Sequence, residues 1–249
     1  MHPLVAILLL SLFGSVLGLG GGVAFLVSKK LSKNLSHLAI PFAAGVLITT
    51  SIVHLIPESI ESSGQLGSFV ILISFFVAFF FEEFFANMHH HEGHAHVGPN
   101  HGSVPLVLFG DTIHNFIDGV AIAASYMVDP KLGIVVALAT FLHEIPHEVG
   151  DFGVLLSAGW SKRNTLLANL FSALVTVVAS VITYIFADFI TPSLGVLLGI
   201  SAGVFLYLGA SDFLPDLASS KGKSRTSKWV FMLLGIFVIL AVTFLAPEH

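Results

Sequence analysis

Long runs of apolar residues dominate this chain and restrict it to one kind of fold. Eight such runs can be marked, at approximately 3–28, 36–58, 66–88, 104–127, 131–158, 163–188, 193–217 and 228–246. Each is long enough to cross a bilayer as a helix, whereas the strands of a membrane barrel would be shorter and alternate in polarity. Hydrophobic residues make up 55% of the chain and charged residues only 10%. The sequence therefore predicts an all-α integral membrane protein with eight transmembrane helices, which we number spans 1–8.

The length of the chain sets its domain organisation. Spans of this size occupy nearly all of the 249 residues, so we expect one transmembrane domain, residues 1–249, without a sizeable soluble part. The first apolar run has no basic segment before it and no A-x-A cleavage site, which favours a retained span over a signal peptide. The chain has no cysteine, so disulfides and thiolate metal ligands are excluded.

The basic residues indicate the orientation of the chain. All ten Lys and Arg residues except Lys131 fall in the connections between spans 1 and 2, 5 and 6, and 7 and 8. Because cytoplasmic loops carry an excess of Lys and Arg, we expect these connections in the cytoplasm and both termini on the opposite side. The protein is then a multi-pass protein of the cell membrane, either plasma or inner, with the loop at about 89–103 in the cytoplasm.

An internal repeat relates spans 2 and 7. Residues 44–58 align without gaps onto residues 202–216, since both segments begin Ala-Gly-Val and end with a polar residue, two apolar residues, proline and an acid. With eight spans these two helices cross the membrane in opposite directions. We therefore predict a 3+2+3 arrangement, in which spans 1–3 and 6–8 form an inverted repeat around spans 4 and 5.

Two of the spans carry polar side chains that are costly to bury in lipid and therefore indicate a functional site. They come from HNFIDG at 114–119 and HEIPHE at 143–148, and the candidate metal ligands are His114, Asn115, Asp118, His143, Glu144 and His147. Residues four apart share a helix face, and the midpoints of two antiparallel spans lie at the same depth. Imidazole and carboxylate suit zinc. The surplus over four ligands would allow ion exchange or a second ion.

Further ionisable residues extend this polar line in both directions. They are His54, Glu58, Asp111, Glu148, Asp151 and Asp212. We predict His54 and Glu58 at the outer entrance and Asp212 at the exit, although each could equally be an ordinary charge at a helix end. Asp111 and Asp151 lie one to two turns toward the cytoplasm. Glu148 is placed to orient an imidazole or to accept its proton.

The loop between spans 3 and 4 is rich in histidine. Its imidazoles are His89, His90, His91, His94, His96 and His101. Such a tract is typical of metal binding, and on a flexible loop it would bind zinc weakly, as a sensor or buffer. The alternative is a tolerated low-complexity loop with no required function.

The two motifs together resemble the ZIP family of zinc and iron transporters, in particular the subfamily with HExPHExGD in its fifth helix. The resemblance implies eight spans, a His-rich cytoplasmic loop, uptake toward the cytoplasm and transport ligands at the six residues of spans 4 and 5 named above. The pathway histidine of span 2 in that family is similar to His54. Span 6 has no acid from Asn164 to Ala187, so the second, bridged metal of some relatives is not expected.

Two other functions compete with transport. His143, Glu144 and His147 formally match HExxH, which in an intramembrane zinc protease would bind zinc and activate water. However, Pro146 disrupts the helical turn between the histidines. A membrane metal sensor or store is the third class, but it would not need a polar line across the bilayer.

We predict a divalent metal transporter that is not an enzyme and has no cofactor. Its substrate is Zn²⁺, although the site would also accept Fe²⁺, Mn²⁺, Cd²⁺, Co²⁺ or Ni²⁺. Its partners are the metal ion and the lipid bilayer, with no nucleic acid. The glycines of span 1 permit close helix packing within one chain or across a homodimer.

Overall fold

The computed structural model describes residues 2–90, 104–218 and 222–245. All regular structure in these residues is helical, in eight long helices α1–α8 that correspond to the eight predicted spans. Three of them contain a π-helical segment. The bounds are α1, Pro3–Ser11, Leu12–Val16 (π) and Gly20–Val27; α2, Lys29–Thr50, Ser51–Leu55 (π) and Ile56–Ser63; α3, Gln65–His90; α4, Val104–Val128; α5, Pro130–Ser157; α6, Lys162–Ile185; α7, Leu194–Tyr207, Leu208–Phe213 (π) and Leu214–Ala218; and α8, Gly222–Leu245. Short helical turns at Ala187–Ile190 and Thr191–Ser193 lead into α7.

Hydropathy and length confirm an all-α, multi-pass membrane protein. Seven of the long helices are apolar and long enough to cross a membrane. The eighth is α4, whose hydropathy is reduced by the polar residues of its middle. Several helices extend beyond the apolar runs in the sequence; α2, for example, begins at Lys29 rather than near residue 36. Hydropathy identifies only the apolar part of a helix. The backbone hydrogen bonds of the helix continue into the polar residues beyond it.

Helix α5 lies at the centre of the bundle and α3 at its edge. In the most apolar window of α5 67% of the residues are buried, against 11% for α3. Helix α5 contacts α1, α2 and α4. It continues through Pro146 without a break, so the disruption of the helix expected there from the sequence was wrong. The outward side of α3 exposes Phe69, Phe76 and Phe80, as expected of a face covered by lipid.

Local sequence determines the tight turn that brings α4 and α5 together. Asp129 caps α5, since its side chain accepts a hydrogen bond of 3.0 Å from the backbone nitrogen of Lys131. Pro130 occupies the first helical position, where no intrahelical hydrogen bond is lost. The result is an antiparallel pair in which the middle of each helix faces the middle of the other.

The packing of α2 and α7 agrees with the repeat seen in the sequence. Helix α2 packs on α8, and α7 packs on α3. The repeat-related residues Gly45 and Gly203 lie at these two contacts, because a Cβ at Gly45 would meet the backbone of Met232 in α8 and one at Gly203 the backbone of Ile71 in α3. This pairing is what an inverted repeat of α1–α3 and α6–α8 would produce. The 3+2+3 arrangement itself stays a prediction.

The glycines of α1 pack against α5 within the same chain. A Cβ added at Gly18 would lie 2.6 Å from Cβ of Glu144, and one at Gly21 would meet the carbonyl oxygen of Ile145. The small residues of α1 thus allow its backbone to lie directly against the polar segment of α5.

Candidate metal-binding site

Four side chains of α4 and α5 converge in the interior of the bundle. His114 and Asp118 come from α4, and His143 and Glu144 from α5, with one donor atom of each within 4.8 Å of all the others. The Nε2 atom of His114 lies 3.0 Å from Nε2 of His143, 3.6 Å from Oδ2 of Asp118 and 3.5 Å from Oε1 of Glu144. Nε2 of His143 is 3.2 Å from Oδ2 of Asp118.

These spacings match the ligand shell of a tetrahedral zinc ion. Bonds of about 2.0–2.1 Å to nitrogen and oxygen place the ligand atoms of a tetrahedron roughly 3.3 Å apart. The four measured separations lie on either side of that value. Two imidazole nitrogens and two carboxylate oxygens therefore stand where one divalent ion could bind all four.

The electrostatics of the cluster also favour a cation. Asp118, His143 and Glu144 are fully buried. In the described part of the chain neither carboxylate accepts a hydrogen bond. Buried carboxylates need a partner, and a metal ion would supply it for both.

The orientation of His143 is fixed from behind. Its Nδ1–H donates to the carbonyl oxygen of Ala139 at 2.8 Å, which leaves Nε2 directed at the cluster as an acceptor. The ring of Phe205 from α7 meets the imidazole edge-on, with 5.4 Å between ring centroids. His143 is therefore held in one orientation and one protonation pattern.

His147 lies beside the four ligands rather than among them. Its ring is tilted against that of His114 at a centroid distance of 4.7 Å and is 5.9 Å from that of His143. It also lines a cavity that reaches the cluster. The structure thus places His147 next to the cluster, on its cavity side.

The amide of Asn115 has other partners. Its Oδ1 accepts from the hydroxyl of Thr176 at 2.7 Å and from that of Ser15 at 3.3 Å. Its Nδ2 donates to the Asp111 carboxylate at 2.9 Å and lies 3.3 Å from the Ser172 hydroxyl. This network ties α4 to α1 and α6, so ligation by Asn115 stays a prediction without direct support from this geometry.

Two cavities flank the cluster at opposite ends of the bundle. We call the end where α1 connects to α2, α5 to α6 and α7 to α8 the basic end, and the other the terminal end. The basic-end cavity measures about 350 Å³, and its polar lining consists of Glu82, Asp111, His114, His147, Asp151 and Tyr207. The terminal-end cavity measures about 230 Å³, and its polar lining consists of His54, Glu58, Glu61, Asp129, Lys131 and Thr243.

The predicted pathway residues divide between these cavities. His54 and Glu58 line the terminal-end cavity, and Asp111 and Asp151 line the basic-end cavity. Glu148 is buried, and within the described residues its carboxylate accepts no hydrogen bond. For the remaining predicted residues, either the whole residue or its side chain lies outside the part of the chain that the structure describes. These residues are Asp212, His89, His90, His91, His94, His96 and His101.

Sequence reasoning missed several residues that the cavities bring into the site. Glu82 and Tyr207 line the basic-end cavity, and Thr243 lines the terminal-end one. Glu82 precedes another acid near the end of α3 and therefore resembles an ordinary helix-end charge. Tyr207 and Thr243 stand alone in apolar helices, so they carry no sequence pattern that points to a site.

Comparison with known proteins identifies the family. The model of the family described as ZIP zinc transporter matches residues 103–243, which is more than half of the chain and includes α4 to α7. The chain belongs to the ZIP zinc transporter family. Membership agrees with the prediction of a metal transporter rather than an enzyme, and the protease alternative loses its support.

Individual ZIP proteins show how far the likeness extends. Zinc transporter ZIP10 of Danio rerio is 35% identical over 147 residues, which cover 55% of this chain and 17% of that protein. Zinc transporter ZIP4 of Homo sapiens is 38% identical over 129 residues, covering 52% and 19%. Metal cation symporter ZIP8 of Rattus norvegicus is 34% identical over 153 residues, covering 57% and 33%. The matched segment thus spans a third or less of each of these relatives.

Proposed function

We propose that this chain carries divalent metal ions, Zn²⁺ first, across the membrane through the cluster of α4 and α5. The observation that carries the proposal is the set of four donor atoms of His114, Asp118, His143 and Glu144, which lie within 4.8 Å of one another with four separations of 3.0–3.6 Å, close to those of a zinc shell. These donor atoms lie in the interior of the bundle between two cavities at its opposite ends, each with several ionisable side chains in its lining. Membership of the ZIP family supports the same function.

The roles of the other polar residues follow from their positions. His147 borders both the cluster and the basic-end cavity, so it would receive the ion as it leaves the four ligands. Asp111 and Asp151 would then attract it toward the basic end. His54 and Glu58 would capture it at the terminal end. Asn115 holds Asp111 and α6 in place beside the cluster.

The proposed direction is toward the cytoplasm. The positive-inside rule places the basic end there, and the His-rich loop at about 89–103 would then lie on the receiving side as a sensor or buffer. No nucleotide-binding motif is present in the sequence. We therefore propose transport down an electrochemical gradient, without ATP. Fe²⁺, Mn²⁺, Cd²⁺, Co²⁺ and Ni²⁺ would compete, because a site of His and carboxylate ligands discriminates weakly among them.

Zinc uptake by reconstituted vesicles tests this proposal. We expect the native chain to load vesicles with zinc, and His143→Ala and Asp118→Ala each to lower the flux at least tenfold. Loss of even a group that orients a metal ligand typically costs about 10–100-fold in affinity or activity. Both side chains are fully buried, so the amount of folded variant is measured by size-exclusion chromatography before reconstitution.

Matched controls come from residues of the same types outside the cluster. His2 and Asp188 are exposed, and His2→Ala and Asp188→Ala should transport as the native chain does. Unchanged flux in both cluster variants would contradict the site, and absence of zinc flux in the native chain would contradict the function.

A further inference from the structure

Two hydrogen bonds join neighbouring helices in the walls of the two cavities. In the basic-end cavity the Tyr207 hydroxyl of α7 donates to the Glu82 carboxylate of α3. In the terminal-end cavity Nε2 of His54 in α2 lies 2.8 Å from Oγ1 of Thr243 in α8. Each bond therefore connects two lining residues of one cavity across two helices.

The surroundings of the second bond favour one proton arrangement. The Thr243 hydroxyl has one proton, which it donates to the carbonyl oxygen of Ile239 at 2.8 Å. In this arrangement His54 carries its proton on Nε2 and donates it to Thr243. A nitrogen that carries a proton cannot bind a metal ion through the same atom, so Nε2 of His54 has to leave Thr243 before it can become a ligand.

The first bond constrains Glu82 in a comparable way. The Tyr207 ring is 5% exposed, and it meets the rings of Phe75 and Phe79 edge-on at 5.6 and 6.3 Å. The aromatic ring is thus fixed, and its hydroxyl aims the Glu82 carboxylate across the cavity wall. A metal ion that drew Glu82 inward would compete with this hydrogen bond for the carboxylate oxygen.

Each bond also adjoins a π-helical segment. Tyr207 immediately precedes Leu208–Phe213, and His54 lies within Ser51–Leu55. The gap-free alignment of 44–58 with 202–216 places 51–55 on 209–213, so the two π segments coincide in the repeat. Such segments are rare and concentrate at functional sites.

The helix pairs correspond as well. An inverted repeat of α1–α3 and α6–α8 exchanges α2 with α7 and α8 with α3. The bond between α2 and α8 at one end thus joins the same two repeat elements as the bond between α7 and α3 at the other, although the alignment places His54 on Asp212 rather than on Tyr207. Both ends of the bundle repeat the same construction, a π segment beside a hydrogen bond to the neighbouring helix.

We propose that these two hydrogen bonds are latches, in which Tyr207 positions Glu82 and Thr243 positions His54 so that the two helices joined by each bond stay together in the cavity wall until the latch opens. An arriving ion opens a latch by binding Glu82 or His54 more strongly than the hydroxyl does, since a ligand shifts an equilibrium only through its differential affinity. The proposal rests on the transport function proposed above.

Thiol labelling can measure access to each cavity separately, because the chain has no cysteine of its own. Ala78→Cys places a thiol in the basic-end cavity and Val135→Cys one in the terminal-end cavity. In nanodiscs both faces are accessible to a water-soluble maleimide, so the measurement does not depend on orientation. The latch is removed in each background with Tyr207→Phe or Thr243→Val.

The expected changes are local. A hydrogen bond to a charged group contributes enough to shift an opening equilibrium by roughly tenfold. Tyr207→Phe should therefore raise the labelling rate at residue 78 by up to about tenfold and leave residue 135 unchanged. Thr243→Val should raise the labelling rate at residue 135 and leave the rate at residue 78 unchanged. Thr243→Ser retains the hydroxyl and should restore the native rate, and Tyr184→Phe, at a tyrosine outside both cavities, should change neither.

Zinc uptake by the same variants separates the latch from the function. If the native chain transports zinc, we expect Tyr207→Phe and Thr243→Val to change KM and maximal flux by different factors, because a latch competes with ion binding. Native labelling rates in both latch variants would overturn the latches even if transport is found. If the latch variants show changed labelling rates but the native chain moves no zinc, the transport function is overturned and the latches remain.

Discussion

At the scale of single residues, Asn115 shows that two neighbouring residues of one motif can have different structural roles. The HN pair of α4 suggests two adjacent ligands. In the structure His114 faces the cluster, while the Asn115 amide accepts from Thr176 and donates to Asp111. Neighbouring residues on a helix point in directions about 100° apart, so only one of the two can face a given point squarely. Asn115 instead holds three helices around the site.

The hydroxyl of Thr176 provides a test of this network. Thr176→Val removes the 2.7 Å donor to Asn115 and leaves a buried amide oxygen with a weaker partner. We expect the free energy of unfolding to fall by roughly 1 kcal/mol, the usual scale for a hydrogen bond between membrane helices. Thermal unfolding in detergent measures the change.

Thr176→Ser should retain the hydrogen bond and most of the stability. Thr191→Val is a matched control, because the hydroxyl of Thr191 is exposed and bonds only within its own turn. Equal melting temperatures for Thr176→Val and the native chain would argue against the network.

The four converging ligands were within reach of sequence reasoning. His114 and Asp118 share a helix face through their spacing, and the antiparallel crossing of α4 and α5 brings His143 and Glu144 to the same depth. The positions of His147 beside the cluster and of Glu82 in the cavity were not predictable. They depend on how far α3, α5 and α7 rotate about their axes, which hydropathy does not encode.

At the scale of helices, the contact between α1 and α5 depends on a missing side chain. Gly18 is buried against Cβ of Glu144, and Gly20, two residues on, has nothing within 4 Å of where a Cβ would be. A comparison of Gly18 with Gly20 therefore distinguishes the effect of the helix contact from the general effect of glycine on a helix. Close approach here keeps α1 against the segment of α5 that supplies two ligands.

Gly18→Ala should force α1 away from α5. Overpacking of this kind costs about 1–3 kcal/mol, so we expect a lower melting temperature and reduced zinc uptake. Gly20→Ala should leave uptake unchanged and stabilise the helix slightly, because alanine favours helix more than glycine does. Similar effects from both substitutions would contradict a specific role for the Gly18 contact.

The long helices could be predicted from the sequence, but their π segments could not. Apolar runs of sufficient length leave no alternative to helix in lipid, since every backbone polar group must be satisfied internally. The change from α to π at Ser51–Leu55 and Leu208–Phe213 alters the hydrogen-bond register without altering hydropathy. In the sequence, only the internal repeat indicates that these two regions correspond to each other.

At the scale of the whole molecule, orientation is the property that gives transport a direction. All basic residues except Lys131 lie at the basic end or in the connections beside it. In intact cells an impermeant maleimide should therefore label Glu61→Cys, at the terminal end, and spare Asn164→Cys, at the basic end. Both parent residues lie at exposed helix ends, and permeabilised cells provide the positive control for the second variant. The reverse labelling pattern would invert the proposed direction.

The composition of the cluster has an electrical consequence. Two carboxylates, Asp118 and Glu144, stand with two imidazoles, which must be neutral to bind a metal. A bound divalent ion then brings the formal charge of the four-ligand cluster to zero. Moving one elementary charge across a membrane potential changes its energy by about 2.3 kcal/mol per 100 mV. The loaded cluster carries no such charge, so voltage acts on the arrival and departure of the ion and on the empty, negative cluster.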